Sequence, residues 1–438
     1  MLLFSVTCLP TAILFADRHL PEVKTTAGVV RGRVVPAPQG SKVNEYLGVP
    51  FAQPPVGDLR YHDPVRLDKL PSDPYEATDH KYSCIQFLDE TFGSFAGSAM
   101  WNAPNDLRED CLYLNVWTPR SSGKKAVMVW IYGGGFYSGS NALWVYDGKA
   151  LAAHGDVIVV APNYRVGTFG FLSTGDGKIK GEQKHNRGAS SAGLHLMSAR
   201  SQPLFRRAIY ESGSPDSHWS FMTSLQARNR SRAFLRGVNC SRDDDADAIL
   251  RCLRALPVDV IQSAEWVDSR FMVFPWAPTV DGRFLTDTPY SLMKAGRFQH
   301  KESLLGVNKN EGTFWILYVL DGFTKDGPSL QNRTTFKRGV DVIAWDLSEE
   351  TRAQLKQLYR PTDDRGRAAA FRDALGDVCG DRSFTCPTWE MATTLADTGA
   401  PTYFYYLAYR ATTEVWPPWM GVIHGAEIQV GPCIPYAV

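Results

Sequence analysis

The segment Trp130-Ile131-Tyr132-Gly133-Gly134-Gly135-Phe136-Tyr137 sets three glycines directly behind an apolar run. Glycine backbone can come close to a reacting carbonyl and turn its N–H groups inward, so such a loop suits the stabilisation of an oxyanion during acyl transfer. That chemistry needs a nucleophile, yet no Gly-x-Ser-x-Gly occurs in the 438 residues. The nearest approach is Ala189-Ser190-Ser191-Ala192-Gly193, with alanine in place of the first glycine. A nucleophile elbow is fed by an apolar buried strand. The stretch ahead of this one, Ser173 to Arg187, is polar and glycine-bearing with a single Ile, and reads as a surface loop. Ser190 and Ser191 are more simply helix-start residues, and Ser191 is a poor stand-in for a nucleophile.

The elements that must position this loop are legible as apolar runs. Ala126 to Tyr132, Val157 to Ala161 and Ser303 to Val307 read as buried strands, Leu112 to Trp117 and Thr402 to Tyr406 as two more. Asp244 to Leu256 and Ser348 to Leu358 read as helices. Strands mixed with helices in this way predict an α/β fold with active loops at strand ends. With 44% hydrophobic and 12% aromatic residues the chain can bury a large core. A net charge of +1 from 47 basic and 46 acidic residues excludes an electrostatic drive toward nucleic acid, and leaves a small molecule as the default partner.

Met1 to Ala16 is apolar and uncharged, and reads as a secretory signal; an ordinary buried first strand is the competing reading. Residues 17–438 then form the mature domain, in which no apolar run reaches membrane-spanning length. Of the eight cysteines, Cys8 falls in the signal, Cys84 with Cys111 and Cys240 with Cys252 are near enough in sequence to close loops, and Cys379, Cys386 and Cys433 make an odd set. No Cys-x-x-Cys pair occurs, so neither a metal nor a redox cofactor is expected. Sequons at Asn229, Asn239 and Asn332 agree with secretion.

Together these segments resemble the cholinesterase branch of the type-B carboxylesterases, which share the α/β-hydrolase fold, a central mostly parallel sheet with helices on both faces. The resemblance runs from about Thr25 to Glu427 and rests on EYLGVPFAQPP, EDCLYLNVW, VMVWIYGGGFYSG, NYRVGTFGFL, ESGSP, GVNKNEG and WMGVIHG. It implies that His424 is the catalytic base, Glu311 the acid that orients it, and Gly134 and Gly135 oxyanion donors. It further implies a gorge lined by Trp101, Tyr137, Phe314, Tyr318 and Trp416, a rim site at Asp89 and Trp266, and an acyl pocket at Met272 and Phe274 with Trp276 close by. A quaternary ammonium cannot donate hydrogen bonds, so its recognition must come from aromatic faces, which suits a choline ester or another cationic ligand. For any one of these aromatics plain core packing is an equally good reading; their agreement with motif positions is what favours the gorge.

The same resemblance exposes a gap. Gly188-Ala189-Ser190-Ser191 matches the helix start that follows the family's Gly-Glu-Ser-Ala-Gly elbow, and the apolar run upstream closes at Phe171-Leu172. The segment is short by roughly thirty residues, the size of one strand-helix unit, such as a skipped exon or a faulty gene model leaves. The C-terminus, IQVGPCIPYAV, also departs from the family, and Ala426 replaces an aromatic usual beside the gorge. Two functions follow: an ester hydrolase by descent that lacks its serine, or a non-catalytic binding or adhesion protein that keeps a cation-binding gorge. A fragment without function is the third reading, and nothing in the sequence sets an oligomeric state.

Overall fold

The computed structural model describes residues 20–174, 179, 189–241, 245–361 and 368–430. The signal reading over Met1–Ala16, Cys8, Cys433 and most of the Ser173–Arg187 stretch lie outside these residues.

The fold is α/β, as the alternation of apolar runs predicts. Its first main sheet contains β1 (Arg33–Pro36), β2 (Lys42–Pro50), β3 (Tyr113–Pro119), β4 (Val127–Val129) and β5 (Ile158–Pro162), in the order β1-β2-β3-β5-β4. Its second contains β6 (Arg207–Glu211), β7 (Glu302–Asn308) and β8 (Thr402–Leu407), all parallel and paired in that order. The first sheet is antiparallel except where β4 runs parallel to β5. Two small sheets flank it, one of Glu22–Thr25, Gly28–Arg31 and Tyr75–Glu76, the other of Ser83–Cys84 and Leu107–Arg108. Trp117, Val159 and Ala161 are buried with Val43 beneath the Lys149–Gly155 helix. Leu194 and Leu196 of the Ala189–Met197 helix pack with Tyr210 and Leu305 of the second sheet. No helix among the described residues is long and apolar enough to cross a membrane.

Strands β4 and β6 are open on the sides away from their single partners, and no described strand lies between them. This corrects the expectation of a buried strand over Ala126–Tyr132. Only Val127–Val129 pairs, and Val127 and Val129 are 57% and 52% exposed. On the other open edge Ile209 is 41% exposed. The run is apolar because it is suited to an interior position with a neighbour on each side, and here it has one. Because these side chains already face solvent, the Val127→Lys and Ile209→Lys changes are expected to shift unfolding free energy by no more than about 0.5 kcal/mol while raising the protein concentration at which light scattering detects association. A cooperative loss of stability in either variant would show that the edges are covered.

A second correction concerns the polar stretch after Leu172. Ser173 and Ile179 are each 3% exposed, so this part of it is not a surface loop. Thr174 and Ile179 bond to one another through backbone at 3.0 Å, Ser231 Oγ donates to the Ser173 carbonyl at 2.5 Å, and the lone Ile joins the largest apolar cluster. Both loop-closing disulfides form, Cys84–Cys111 and Cys240–Cys252, while Cys379 is buried and free and Cys386 exposed and free.

Candidate active site

Glu311 opens the Glu311–Val319 helix directly after β7, so the end of a buried parallel strand aims it into the molecule. It is 1% exposed, and its carboxylate is held on three sides. Oε1 accepts from the Asn308 N–H at 2.6 Å and from Ser212 Oγ at 2.5 Å, and Oε2 meets His424 Nδ1 at 2.6 Å. Ser212 sits just past β6 at φ 53°, a left-handed conformation uncommon outside glycine, and that turn points its hydroxyl at the carboxylate. The loop bearing His424 is tied to the same strand end. Asn308 Nδ2 donates to the Ile423 carbonyl at 2.9 Å, Asn310 Oδ1 accepts from the Val422 N–H at 3.0 Å, and Asn308 Nδ2 also reaches Glu427.

Burial pulls the His424 imidazole down in pKa, but the Glu311 charge and hydrogen bond, with the Glu427 charge behind them, outweigh burial and leave it above its ordinary value. Burial and the neighbouring Glu311 charge raise Glu427, and burial and Glu427 push Glu211 up to about 8. Among the described residues no Lys or Arg forms an ion pair with Asp89, Glu211, Glu311 or Glu427. The His424 side chain is 28% exposed. Trp315, one helical turn after Glu311, lies 5.5 Å from it between ring centroids, and Phe384, in a single π-helical turn, lies at 4.5 Å.

The glycine loop turns through left-handed backbone, and at Gly134 only glycine is tolerated. Gly134 stands at φ 119° and Gly135 at φ 55°; a Cβ on Gly134 would meet the Ser138 carbonyl at 2.3 Å, and one on Gly135 the Tyr137 ring at 2.7 Å. Neither the Gly134 nor the Gly135 N–H takes part in the loop's backbone hydrogen bonds, so both stay available to an acceptor. Phe274 lies 3.2 Å from the Gly135 Cβ position and 5.8 Å from Trp315 between centroids, which places glycine loop and histidine around one set of rings.

The expected gorge aromatics form two neighbouring groups. Trp101 packs against Gly425, whose Cβ would lie 3.3 Å from its ring, and so stands one residue from His424. Phe314 contacts Tyr318 at 4.9 Å and Trp416 at 5.7 Å. Asp89 is clamped by Asn102, which accepts from its N–H at 2.7 Å and donates to its carbonyl at 2.9 Å, and its carboxylate accepts from the Tyr318 hydroxyl at 2.6 Å. Tyr137 touches Trp266 and Phe274 at 5.3 Å each, and Trp315, 5.4 Å from Phe314 and 5.8 Å from Phe274, joins the groups. Burial and the Asp89 charge push the Tyr137 phenol up to about 12. Trp266 is 43% exposed, and Met272 and Phe274 are buried in the apolar cluster against which Tyr137 packs. Trp276 stands apart: it is fully buried in the core against Phe234, and its indole donates to Thr168 Oγ1 at 2.7 Å.

Ser191 is fully buried inside the Ala189–Met197 helix, and its hydroxyl has no hydrogen-bond partner among the described residues. The structure does not bring it to His424. Residues that sequence reasoning passed over include Ser212, Asn102, Trp219, Trp315 and Phe384, together with Phe92 and Phe95, which meet Trp416 edge-on at 5.7 and 4.7 Å. The ESGSP motif, which contains Ser212, and the i to i+4 spacing from Glu311 to Trp315 were signals open to a sequence reader.

The model of the Carboxylesterase family matches residues 19–183 and 185–432, and the chain belongs to that family. It is similar to the mouse protein named cholinesterase, 38% identical over 459 residues that cover 96% of this chain and 75% of the relative. It is also similar to the acetylcholinesterase of Bungarus fasciatus, 35% identical over 463 residues covering 96% of this chain and 75% of that one.

Proposed function

We propose that this chain is a cholinesterase-like member of the carboxylesterase family that no longer performs serine acyl transfer and instead binds a cationic, choline-type ligand on its aromatic cluster. The observation that carries the reading is the mismatch within the site. His424 and Glu311 are joined at 2.6 Å, yet the candidate serine is buried in a helix with no partner among the described residues. The aromatic cluster supports cation binding: Trp101 abuts the histidine loop, Asp89 is hydrogen-bonded to Tyr318, and among the described residues no Lys or Arg pairs with Asp89. We also infer an extracellular setting, supported by the two disulfides and by the exposed asparagines at 229, 239 and 332.

Chain recovered from the medium of secreting cells, and losing mass on endoglycosidase digestion, is the material for the test. Titration with decamethonium is expected to quench its tryptophan fluorescence, and Trp101→Ala is expected to weaken the binding about tenfold. The acetate of 3,3-dimethylbutanol, which has choline's shape without its charge, should bind more weakly than acetylcholine. Equal binding of the two, or no effect of the Trp101 change, would remove the cation site.

A further inference from the structure

Resting on the reading that no serine serves this histidine, we propose that the His424–Glu311 pair activates water directly, so that the chain slowly hydrolyses esters with good leaving groups without an acyl-enzyme. Loss of an elbow leaves a base without a client; it does not by itself dismantle the base. Glu311 stays locked by the Asn308 N–H, Ser212 Oγ and His424 Nδ1. A carboxylate at Nδ1 holds the neutral imidazole in the tautomer whose proton is on that nitrogen, leaving the Nε2 lone pair as the acceptor. Nε2 has no hydrogen-bond partner among the described residues, and with the side chain 28% exposed, solvent reaches the ring.

The second half of the machinery is the glycine loop with its unspent Gly134 and Gly135 N–H groups; Gly135 abuts Phe274, which contacts Trp315, which in turn contacts the histidine. In the step proposed, a water oxygen attacks the ester carbonyl carbon while its proton passes to His424 Nε2. The tetrahedral oxyanion is held by the two glycine N–H groups. It collapses with cleavage of the carbon–oxygen bond to the leaving group, and His424 returns the proton to that alcohol. One water is consumed, one acid and one alcohol are formed, and the imidazole is regenerated. Glu311 keeps the tautomer and steadies the transient imidazolium.

The test is the release of 4-nitrophenolate from 4-nitrophenyl acetate by the full chain. The expected course has a single phase without a burst, is unaffected by diisopropyl fluorophosphate, and rises with pH as His424 loses its proton through its raised pKa. His424→Ala and Glu311→Gln should each lower the rate about 100-fold, free imidazole should restore part of it in His424→Ala, and Ser191→Ala should leave it unchanged. A burst, inhibition by the organophosphate, loss of rate in Ser191→Ala, or equal rates in wild type and Glu311→Gln would each overturn the proposal. The substrate carries no cation, so failure of this hydrolysis leaves the Trp101 binding measurement standing, and the two readings fail separately.

Discussion

In the Glu311→Gln variant the imidazole of His424 is expected to carry its proton on the wrong nitrogen. A glutamine keeps an oxygen for the Ser212 and Asn308 donors at 2.5 and 2.6 Å, so the least disruptive arrangement turns its amide N–H toward His424 Nδ1. Nδ1 then accepts, the proton moves to Nε2, and the lone pair that faces solvent disappears. The Glu311 charge that lifts the imidazole also goes, so the pKa of His424 falls. A base whose folded pKa lies above its ordinary 6.5 stabilises the fold fully below that pH and loses its contribution as pH rises through the folded value. The variant lacks that acid-side gain. It also loses charge-assisted bonds worth about 2 kcal/mol in total. Nitrogen-15 spectra of the imidazole read tautomer and pKa together; an unchanged Nδ1–H tautomer would show that Glu311 does not orient the ring.

Glu211→Gln is expected to stabilise the protein, and more so as pH rises. Glu211 ends β6 on the open edge, where burial first and the Glu427 charge second push its carboxyl up to about 8. Its folded pKa exceeds the ordinary 4.5, so the neutral acid is the form the fold prefers. The contribution of Glu211 is therefore intact below pH 4.5 and is lost progressively as pH climbs toward about 8. Glutamine has the shape of the neutral acid and cannot ionise. Thermal unfolding should show no gain over wild type at acid pH and a gain on the order of 2–4 kcal/mol at the alkaline end of that window, each unit of pKa shift being worth about 1.4 kcal/mol. A gain that is the same at every pH would mean that Glu211 is not held neutral by its surroundings.

How far the sequence could be read depended on whether a residue's neighbours are encoded near it. Val157–Ala161 and Ser303–Val307 are dense apolar runs with a partner on each side, and they appear as β5 and β7 within a residue of the expected bounds. The Ala126–Tyr132 run has the same composition yet pairs over three residues, because strand length is set by what lies alongside, and one side is open. Strand β6, Arg-Ala-Ile-Tyr-Glu, was passed over because its charged ends and single alternation carry a weak signal. Glu311 and His424 lie 113 positions apart, and only their motifs, not their spacing, could join them. Ser212 lies inside the ESGSP motif, but its role was hidden because it depends on a positive φ that a serine does not advertise. Trp276 shows the limit of reading by position: it follows Phe274 by two residues, yet its ring turns into the core toward Thr168 while Phe274 faces Tyr137.

At the centre of this account stands a histidine–glutamate pair with no serine delivered to it. Intact-mass spectrometry after exposure to diisopropyl fluorophosphate addresses that point most directly, since a serine activated by His424 would take up one phosphoryl group per chain. We expect the mass to stay unchanged, in wild type as in Ser191→Ala. A stoichiometric adduct on wild type that maps to Ser191 and vanishes in His424→Ala would contradict the account outright.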